Sequence, residues 1–213
     1  MRHFLSFALI AASIFAFSQT KDQQNGEIKG TVTDPSGNPV LGATVYAVPQ
    51  GLTLDDIAPR SVKTDGDGKF DFRRGLQLAV YKLYTRKDED GYPDPLTPLY
   101  ANSNSPTPTV DLTEHRSARV SVRLGEKAGV IAGRVIDSES GTGAKAILIF
   151  SDEDGHAVKL SVDGRYRALL PAGKNVTLMV IAVSSHFDEQ RPIASLRFEP
   201  GQEIYMDIPV SQH

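Results

Sequence analysis

One short pattern occurs twice in the chain, and this repeat constrains the fold more than any other feature of the sequence. The pattern Gly-x-Val-x-Asp begins at Gly30 and again at Gly133, an offset of 103 residues. In each copy an alternating segment leads into a cluster of turn-forming residues and then into a second apolar segment. Alternation at period two is typical of a half-buried strand, and Asp, Pro, Ser and Gly favour turns. The stretches 28–45 and 130–147 are therefore predicted to be two equivalent β-hairpins.

A second pattern follows the same repeat. Asp67-Gly-Lys-Phe is echoed by Asp163-Gly-Arg-Tyr at an offset of 96 residues. Because Asp-Gly before alternating apolar residues is typical of a hairpin turn, the segments 61–73 and 157–170 are also predicted to be hairpins. No segment of either copy has a convincing helical period. Short strands at regular spacing predict an all-β fold of two tandem Ig-like or transthyretin-like antiparallel β-sandwiches.

The two sandwiches are predicted to span residues 27–124 and 130–211, with the boundary between them. Residues 87–112 interrupt the first unit and have no counterpart in the second. This insert carries five prolines, at positions 93, 95, 98, 106 and 108, and proline cannot donate to a strand ladder. The insert also contains aromatic and aliphatic residues that can pack. It is therefore predicted to be a long ordered loop of the first unit.

The first 18 residues have the pattern of a secretory signal peptide. A short basic head precedes a nearly continuous apolar run, and small residues at 16 and 18 fit cleavage after Ser18. The run is too short to span a membrane comfortably. We therefore expect a signal peptide at 1–18, a flexible lead-in at 19–26, and an extracytoplasmic mature chain, periplasmic or secreted, with no membrane span.

Composition narrows the classes of partner and chemistry. The formal net charge is −3, and removal of residues 1–18 takes away one base and no acid, which leaves 22 basic and 26 acidic residues. This balance argues against a nucleic-acid partner, because such a partner requires a clustered basic face. The chain has no Cys, so disulfides and thiolate chemistry are excluded.

The order of these motifs resembles the carboxypeptidase regulatory-like domain, present as two tandem copies. Each copy has Gly-x-Val-x-Asp, a Gly-containing turn, a Gly-Ala or Ala strand, and then Asp-Gly before an aromatic residue. The resemblance implies a transthyretin-like seven-stranded sandwich and a non-catalytic accessory role on secreted or outer-membrane proteins. The first unit departs from the pattern at residues 73–75 and in its Pro-rich insert. The matching residues are Gly30, Val32, Asp34, Gly37, Pro39, Gly42, Ala43, Val45, Thr64, Asp65, Gly68, Phe70 and Phe72 in the first copy, and Gly133, Val135, Asp137, Gly141, Ala144, Asp163, Gly164, Tyr166, Leu170, Pro171 and Gly173 in the second.

Two short motifs could suggest metal chemistry, but the first is better explained as a hairpin turn and the second is an incomplete set of ligands. The segment 65–71 looks like half a calcium loop around Asp65 and Asp67, but an EF-hand needs Gly at its sixth position and Glu at its twelfth. Here Gly falls at the fourth and Leu at the twelfth. His186 and Asp188 have the spacing of two ligands of a two-His-one-carboxylate iron site, and the third ligand would have to be His213, His115 or His156. We therefore predict no cofactor and no catalytic residues, with a metal-dependent enzyme using His186 and Asp188 as the alternative.

Tyrosines concentrate in and beside the insert. A tyrosine has an apolar face and a polar tip, which suits stacking on sugar rings or lining a protein interface. We predict a contact surface formed by Tyr84, Tyr92 and Tyr100. In the alternative, Tyr81 or Tyr84 is a core residue and the other tyrosines pin the insert. The chain is thus predicted to be a non-catalytic structural or binding module for a protein or polysaccharide partner at the cell surface or in the periplasm. A carbohydrate-binding module is a second alternative.

Overall fold

The fold is almost entirely β, as predicted. The computed structural model describes residues 26–51, 60–100, 107–182 and 191–211. The predicted signal peptide, the lead-in up to residue 25, and the pair His186 and Asp188 lie outside these residues. The described residues form fifteen strands and two short 3-10 turns, so the all-β fold class is confirmed. No helix within the described ranges is long and apolar enough to cross a membrane.

The strands fall into two groups along the chain. The first unit contains β1 to β7 and two 3-10 turns, and the second contains β8 to β15. The first unit consists of β1 Gly26–Thr33, β2 Thr44–Pro49, β3 Arg60–Lys63, β4 Lys69–Leu76, β5 Val80–Arg86, the 3-10 turns Asp88–Asp90 and Pro98–Tyr100, β6 Thr109–Asp111 and β7 Ser117–Arg123. The second consists of β8 Gly129–Asp137, β9 Ala146–Ser151, β10 His156–Leu160, β11 Arg165–Leu170, β12 Asn175–Ala182, β13 Arg191–Arg197, β14 Glu203–Tyr205 and β15 Ile208–Val210.

The two units share one sheet topology. In the first unit the sheets have the strand orders β4-β1-β7 and β3-β2-β5-β6. In the second unit the orders are β11-β8-β14, with β15 also paired to β8, and β10-β9-β12-β13. Both units depart from a purely antiparallel arrangement, because β7 runs parallel to β1, and β14 and β15 run parallel to β8. In each unit the last strand in chain order therefore lies parallel to, and paired with, the first strand.

The predicted hairpins are wrong in their pairing, although their turns are where the sequence indicates. Strands β1 and β2 belong to different sheets, and so do β3 and β4, β8 and β9, and β10 and β11. Only isolated bridges join the strand ends, such as the bridge between Val162 and Arg165 around Asp163-Gly164. Each turn is thus an arch between the two layers. An arch turns the apolar faces of consecutive strands toward each other, which buries them in one core without further connections.

Each unit encloses its own group of buried side chains. The first core is formed by residues of β1 to β7 and of the segments that connect them, and includes Ile28, Val32, Val45, Phe70, Phe72, Tyr81, Leu83, Tyr92, Leu112 and Val122. The second is formed by residues of β8 to β15 and of their connections, and includes Ile131, Val135, Leu148, Phe150, Tyr166, Leu170, Val176, Leu178, Phe198 and Ile208. It also contains Leu99 and Tyr100, which belong to the insert of the first unit. The insert therefore completes the core of the other unit.

Two buried hydroxyl groups occupy equivalent places in the two units. Thr64 Oγ1 accepts the N–H of Ala43 at 2.8 Å and donates to the carbonyl of Val40 at 2.5 Å. Ser161 Oγ likewise accepts the N–H of Ala146 at 2.8 Å and donates to the carbonyl of Ala144 at 2.9 Å. Because each hydroxyl satisfies two backbone groups at an arch, it substitutes for ladder hydrogen bonds that the change of sheet removes. The Ser161 bridge was not singled out from the sequence.

Candidate functional site

Tyr84 lies on the outer face of the four-stranded sheet of the first unit. It stands directly opposite Tyr46 in the register of β2 and β5. The Lys82 ammonium lies 5.6 Å from the centre of the Tyr84 ring, and the Arg86 guanidinium lies 5.4 Å from the centre of the Tyr46 ring. All four side chains are half-buried. This group, Tyr46, Lys82, Tyr84 and Arg86, is called the tyrosine face.

The tyrosine face is tied to the insert by one ion pair. The Arg86 guanidinium lies 3.0 Å from Asp94 Oδ2, and the other carboxylate oxygen of Asp94 accepts the N–H of Leu96 at 3.0 Å. A carboxylate that caps a turn and pairs with arginine has little freedom. The start of the insert is therefore held at the end of β5, beside the two tyrosine rings.

Tyr92 is buried in the core of the first unit. The Lys127 ammonium lies 5.7 Å from the centre of its ring, and the N–H of Ala128 donates to the carbonyl of Gly91 at 2.8 Å. Burial raises the pKa of the Tyr92 phenol above its ordinary value. These contacts attach the insert to the segment that connects the two units.

Tyr100 is buried in the core of the second unit and keeps a partner for its polar tip. Its hydroxyl donates to the carbonyl of Leu169 in β11. Burial raises the pKa of the Tyr100 phenol strongly. At Gly155, an added Cβ would lie 2.8 to 2.9 Å from atoms of Pro98, so the insert approaches the start of β10 closely. The 3-10 turn Pro98–Tyr100 is therefore seated on the second unit.

The three predicted contact residues do not form one surface. Tyr84 lies on a sheet face, Tyr92 in the first core and Tyr100 in the second. A role of these residues in contacting a partner stays a prediction. For Tyr92 and Tyr100, burial favours the alternative in which they pin the insert. Tyr46, Lys82 and Arg86 were not predicted, because their proximity to Tyr84 depends on the register between β2 and β5.

A small cavity of about 160 Å³ lies where the insert meets the second unit. Its lining combines Arg86, Asp88 and Asp94 from the first unit with Lys159 and Arg167 from the second. Asp88 Oδ1 is buried and has no hydrogen-bond partner within the described residues. Burial is the main cause that raises the pKa of Asp88 above its ordinary value.

The acidic turn at residues 65–68 is explained by backbone geometry. Asp65 Oδ1 accepts the N–H groups of Asp67 and Lys69, at 3.0 and 2.9 Å. Asp67 pairs with the Lys69 ammonium at 2.8 Å. Within the part of the chain that the structure describes, no group of three His, Asp or Glu side chains is placed to hold a metal ion. The contacts within the turn therefore account for Asp65 and Asp67, the two residues that resemble half a calcium loop.

Residues 27–125 match the family profile of the carboxypeptidase regulatory-like domain. The predicted resemblance is thereby confirmed for the first unit, and a second copy of that domain at 130–211 stays a prediction. No protein with a curated description matches the chain.

Several solved structures are similar in fold. A streptococcal ancillary pilin is 15% identical, with a TM-score of 0.37, and the match covers 87% of this chain and 63% of the pilin. The minor pilin GBS52 of Streptococcus agalactiae is 12% identical, with a TM-score of 0.42, covering 88% of this chain and 96% of the pilin. A DUF3823 family protein of Bacteroides ovatus is 13% identical, with a TM-score of 0.35, covering 80% and 97%. Likenesses this distant say nothing about activity or partners. This chain spans less than two thirds of the ancillary pilin.

Proposed function

We propose that the chain is a non-catalytic, extracytoplasmic structural and binding module. In this proposal two β-sandwich units, 27–124 and 130–211, are held as one body by the insert 87–112. The observation that carries it is the position of Leu99 and Tyr100, which belong to one unit and pack in the core of the other. The family match of the first unit and the signal-peptide pattern of residues 1–18 support the accessory and extracytoplasmic parts of the proposal.

The insert limits the motion of the two units relative to each other. Two small domains that were joined only through residues 124–129 would move relative to one another by default. Burial of Leu99 adds a second connection, and truncation of a buried leucine typically costs about 2–5 kcal/mol. Since about 1.4 kcal/mol is a tenfold change in an equilibrium constant, the detached arrangement is a minor state. A rigid body of this kind presents its surfaces at fixed distances from each other.

The tyrosine face is the proposed contact surface. Tyrosine rings supply apolar area with few rotatable bonds, and the paired cations Lys82 and Arg86 hold the rings in place. Of the three tyrosines predicted from the sequence, Tyr84 retains this role. Tyr92 and Tyr100 act indirectly in the proposal, because they fix the insert and, through Asp94, the end of β5.

Carbohydrate binding is the second candidate function, and one observation favours it. Tyr46 and Tyr84 are cross-strand neighbours on one face of a sheet, which places two rings side by side with polar tips and cations around them. Such a pair can stack on a sugar ring and donate hydrogen bonds to its hydroxyls. Binding of the purified chain to a glycan array separates this function from a purely structural role.

The test compares two tyrosine variants. Tyr46→Ala with Tyr84→Ala removes the tyrosine face, whereas Tyr205→Ala removes an exposed ring from the second unit. If the chain binds glycans through the tyrosine face, the double variant loses array signal and Tyr205→Ala keeps it. If no glycan binds and both variants keep the wild-type melting temperature, the structural role alone remains.

Metal analysis tests the non-catalytic part of the proposal. The purified chain is expected to contain no stoichiometric iron or zinc. Stoichiometric metal that disappears in His186→Ala would overturn the proposal in favour of the metal-dependent enzyme. Asp65→Asn is the control, because its carboxylate accepts backbone hydrogen bonds in a turn.

A further inference from the structure

A cleft of about 840 Å³ lies where the third and fourth strands of the second unit meet. Its lining joins the basic residues Arg134, Arg165 and Arg167 to the apolar residues Leu160 and Val162. We call it the arginine cleft. It shares no residue with the tyrosine face.

The three arginines carry charge that the described residues do not neutralise. Arg165 stands directly opposite Arg134 in the register of β8 and β11, and like charges in this position destabilise a sheet. No ion pair within the described ranges involves either residue or Arg167. Asp207 accepts the backbone N–H of Arg134 at 2.9 Å, and Asp163 also lines the cleft. Arg167 further borders the small cavity beneath the insert.

Three of the basic side chains that line the equivalent cleft of the first unit are paired with carboxylates, whereas Lys63 and Arg119 have no ion pair within the described residues. The volume of this cleft is similar, about 890 Å³. Arg73 lies 3.3 Å and Lys29 3.7 Å from the Asp71 carboxylate, and Lys69 lies 2.8 Å from Asp67. Lys29 also pairs with Glu27. Since the two clefts occupy the same place in one topology, the group of three arginines without an ion pair distinguishes the second unit from the first.

The apolar side of the arginine cleft belongs to a free strand edge. Strand β10 is the edge of its sheet and pairs only with β9. Leu160 and Val162 are 68% and 69% exposed, and Val158 is 53% exposed. The N–H of Ser161 donates to Ala146 on β9, so by the alternation of an antiparallel ladder the backbone groups of Leu160 face away from β9. The insert packs beside the first part of β10, near Gly155, and lines the small cavity together with Ala157 and Lys159. The open part of the edge is therefore the Leu160 end of β10.

We propose that the arginine cleft binds an extended acidic peptide segment, which adds as a strand beside β10. Its backbone would pair with the free edge, alternate apolar side chains would contact Leu160 and Val162, and carboxylates would meet Arg134, Arg165 and Arg167. Strand addition to a sheet edge supplies affinity through backbone hydrogen bonds, and alternate side chains supply specificity. Arginine pairs with carboxylates in a bidentate manner. An anionic polysaccharide would use the arginines but neither the strand edge nor the exposed aliphatic side chains.

The test uses the fluorescent octapeptide Thr-Val-Glu-Val-Glu-Val-Glu-Thr at low ionic strength. Two double variants are compared: Arg134→Gln with Arg165→Gln, and the matched control Lys69→Gln with Arg73→Gln in the equivalent cleft of the first unit. Both remove two positive charges from exposed strand positions. We expect the arginine variant to weaken binding of the peptide at least about tenfold, from the loss of charge-assisted contacts, and the control to retain it.

Two further probes decide the kind of ligand. The peptide Thr-Val-Glu-Pro-Glu-Val-Glu-Thr, which lacks one backbone donor, is expected to bind at least about tenfold more weakly, because proline interrupts a strand ladder. A heparin fragment is expected to bind without dependence on Leu160→Ser. Three results would overturn the proposal. The two double variants could lose peptide binding equally, or the proline peptide could bind as well as the original peptide. Heparin could also bind more strongly than the peptide while depending on the same arginines. If the arginine variant fails to fold, amide shift changes of the wild-type chain at residues 158–162 decide instead: their absence on adding the peptide overturns it.

Discussion

The two units have one topology and equivalent inward-facing residues, but they differ in what they present outward. Thr64 and Ser161 accept the equivalent backbone N–H groups of Ala43 and Ala146, and glycines at 30 and 133 lie at the same crowded points. Outward, three cations of the first cleft pair with carboxylates, and the second cleft has three arginines without an ion pair within the described residues. The comparison teaches that the core and arches determine this fold, whereas the outer faces are free to acquire separate binding properties.

The insert makes the two units unequal in a second way. The first unit encloses its own core, and through Leu99 and Tyr100 it also completes the core of the second unit. The second unit provides no comparable segment to the first within the described residues. Loss of stability should therefore spread from the insert into the second unit more than from the second unit into the first.

The largest expected effect comes from the glycines at the crowded points of both units. A Cβ at Gly133 would lie 1.8 Å from the carbonyl oxygen of Met206, and one at Gly30 would lie 2.1 Å from that of Val120. Because backbone must move to relieve such a clash, Gly133→Ala and Gly30→Ala are each expected to cost about 3 kcal/mol or more. Chemical denaturation measures the loss.

Gly141→Ala is the control for the glycine variants. Gly141 has a φ of +68° and open space around its Cβ position, so its substitution should cost only about 1 kcal/mol. A cost at Gly133 no greater than that at Gly141 would show that the close approach of β8 to the β14–β15 segment is wrong.

The next largest effect concerns the two buried tyrosines of the insert. Replacement of Tyr92 and Tyr100 together by Ala is expected to cost about 3 kcal/mol or more, as for other large buried aromatic side chains. Tyr100→Phe removes only the hydrogen bond to Leu169 and should cost about 1 kcal/mol. An unchanged melting temperature in the double variant would instead support the role of these tyrosines as partner contacts.

A smaller effect tests the equivalence of the two units. Thr64→Val and Ser161→Ala each leave a buried backbone N–H and a carbonyl without their hydroxyl partner. Each substitution is expected to cost about 1–3 kcal/mol, and urea titration should return similar values for both. Destabilisation by one substitution but not by the other would show that the arches of the two units are not equivalent.

The smallest expected effect is a dependence of stability on pH, which arises from Asp88 at the contact between the units. Burial raises the folded-state pKa of Asp88 above its ordinary value of 3.8. For an acid with a raised pKa, the contribution to stability is present below the unfolded value and is lost as pH rises through the folded value. Asp88→Asn should therefore raise the melting temperature slightly at pH 7 and leave it unchanged at pH 3.

Glu89→Gln is the matched control for Asp88→Asn, because it removes the same charge one position away. The Glu89 pKa is lowered by a backbone hydrogen bond and by Lys87, so loss of this charge should not stabilise the chain at pH 7. An equal gain from both variants would attribute the effect to net charge and not to the buried position of Asp88.

The sequence was sufficient for the local features of the fold. Period-two alternation located the strands, and Asp163-Gly164 forms a tight turn with positive φ at both residues. The pairing of the strands could not be predicted in this way, because an arch and a hairpin have the same local pattern of alternation and turn. The predicted hairpins were wrong for that reason.

The residues of the candidate surfaces were harder to predict from the sequence than the strands. The destination of Tyr100 could not be predicted, because the insert has no period that assigns its side chains to a face. Arg134 and Arg165 are 31 positions apart in the sequence, and only the register of β8 with β11 brings them together. The same is true of Tyr46 and Tyr84. Contacts across strands can be predicted only when the strand pairing is known, and here the pairing is known from the structure.

The central claim is that a segment of the first unit completes the core of the second. Hydrogen exchange on Leu99→Ala, with Leu112→Ala as the control, tests it most directly, since both leucines are fully buried and flank the insert's second half. The structure predicts that Leu99→Ala lowers amide protection in β10 and β11, which the Pro98–Tyr100 turn contacts, and that Leu112→Ala lowers it in β1 and β5. Loss of protection confined to the first unit in both variants would contradict the claim.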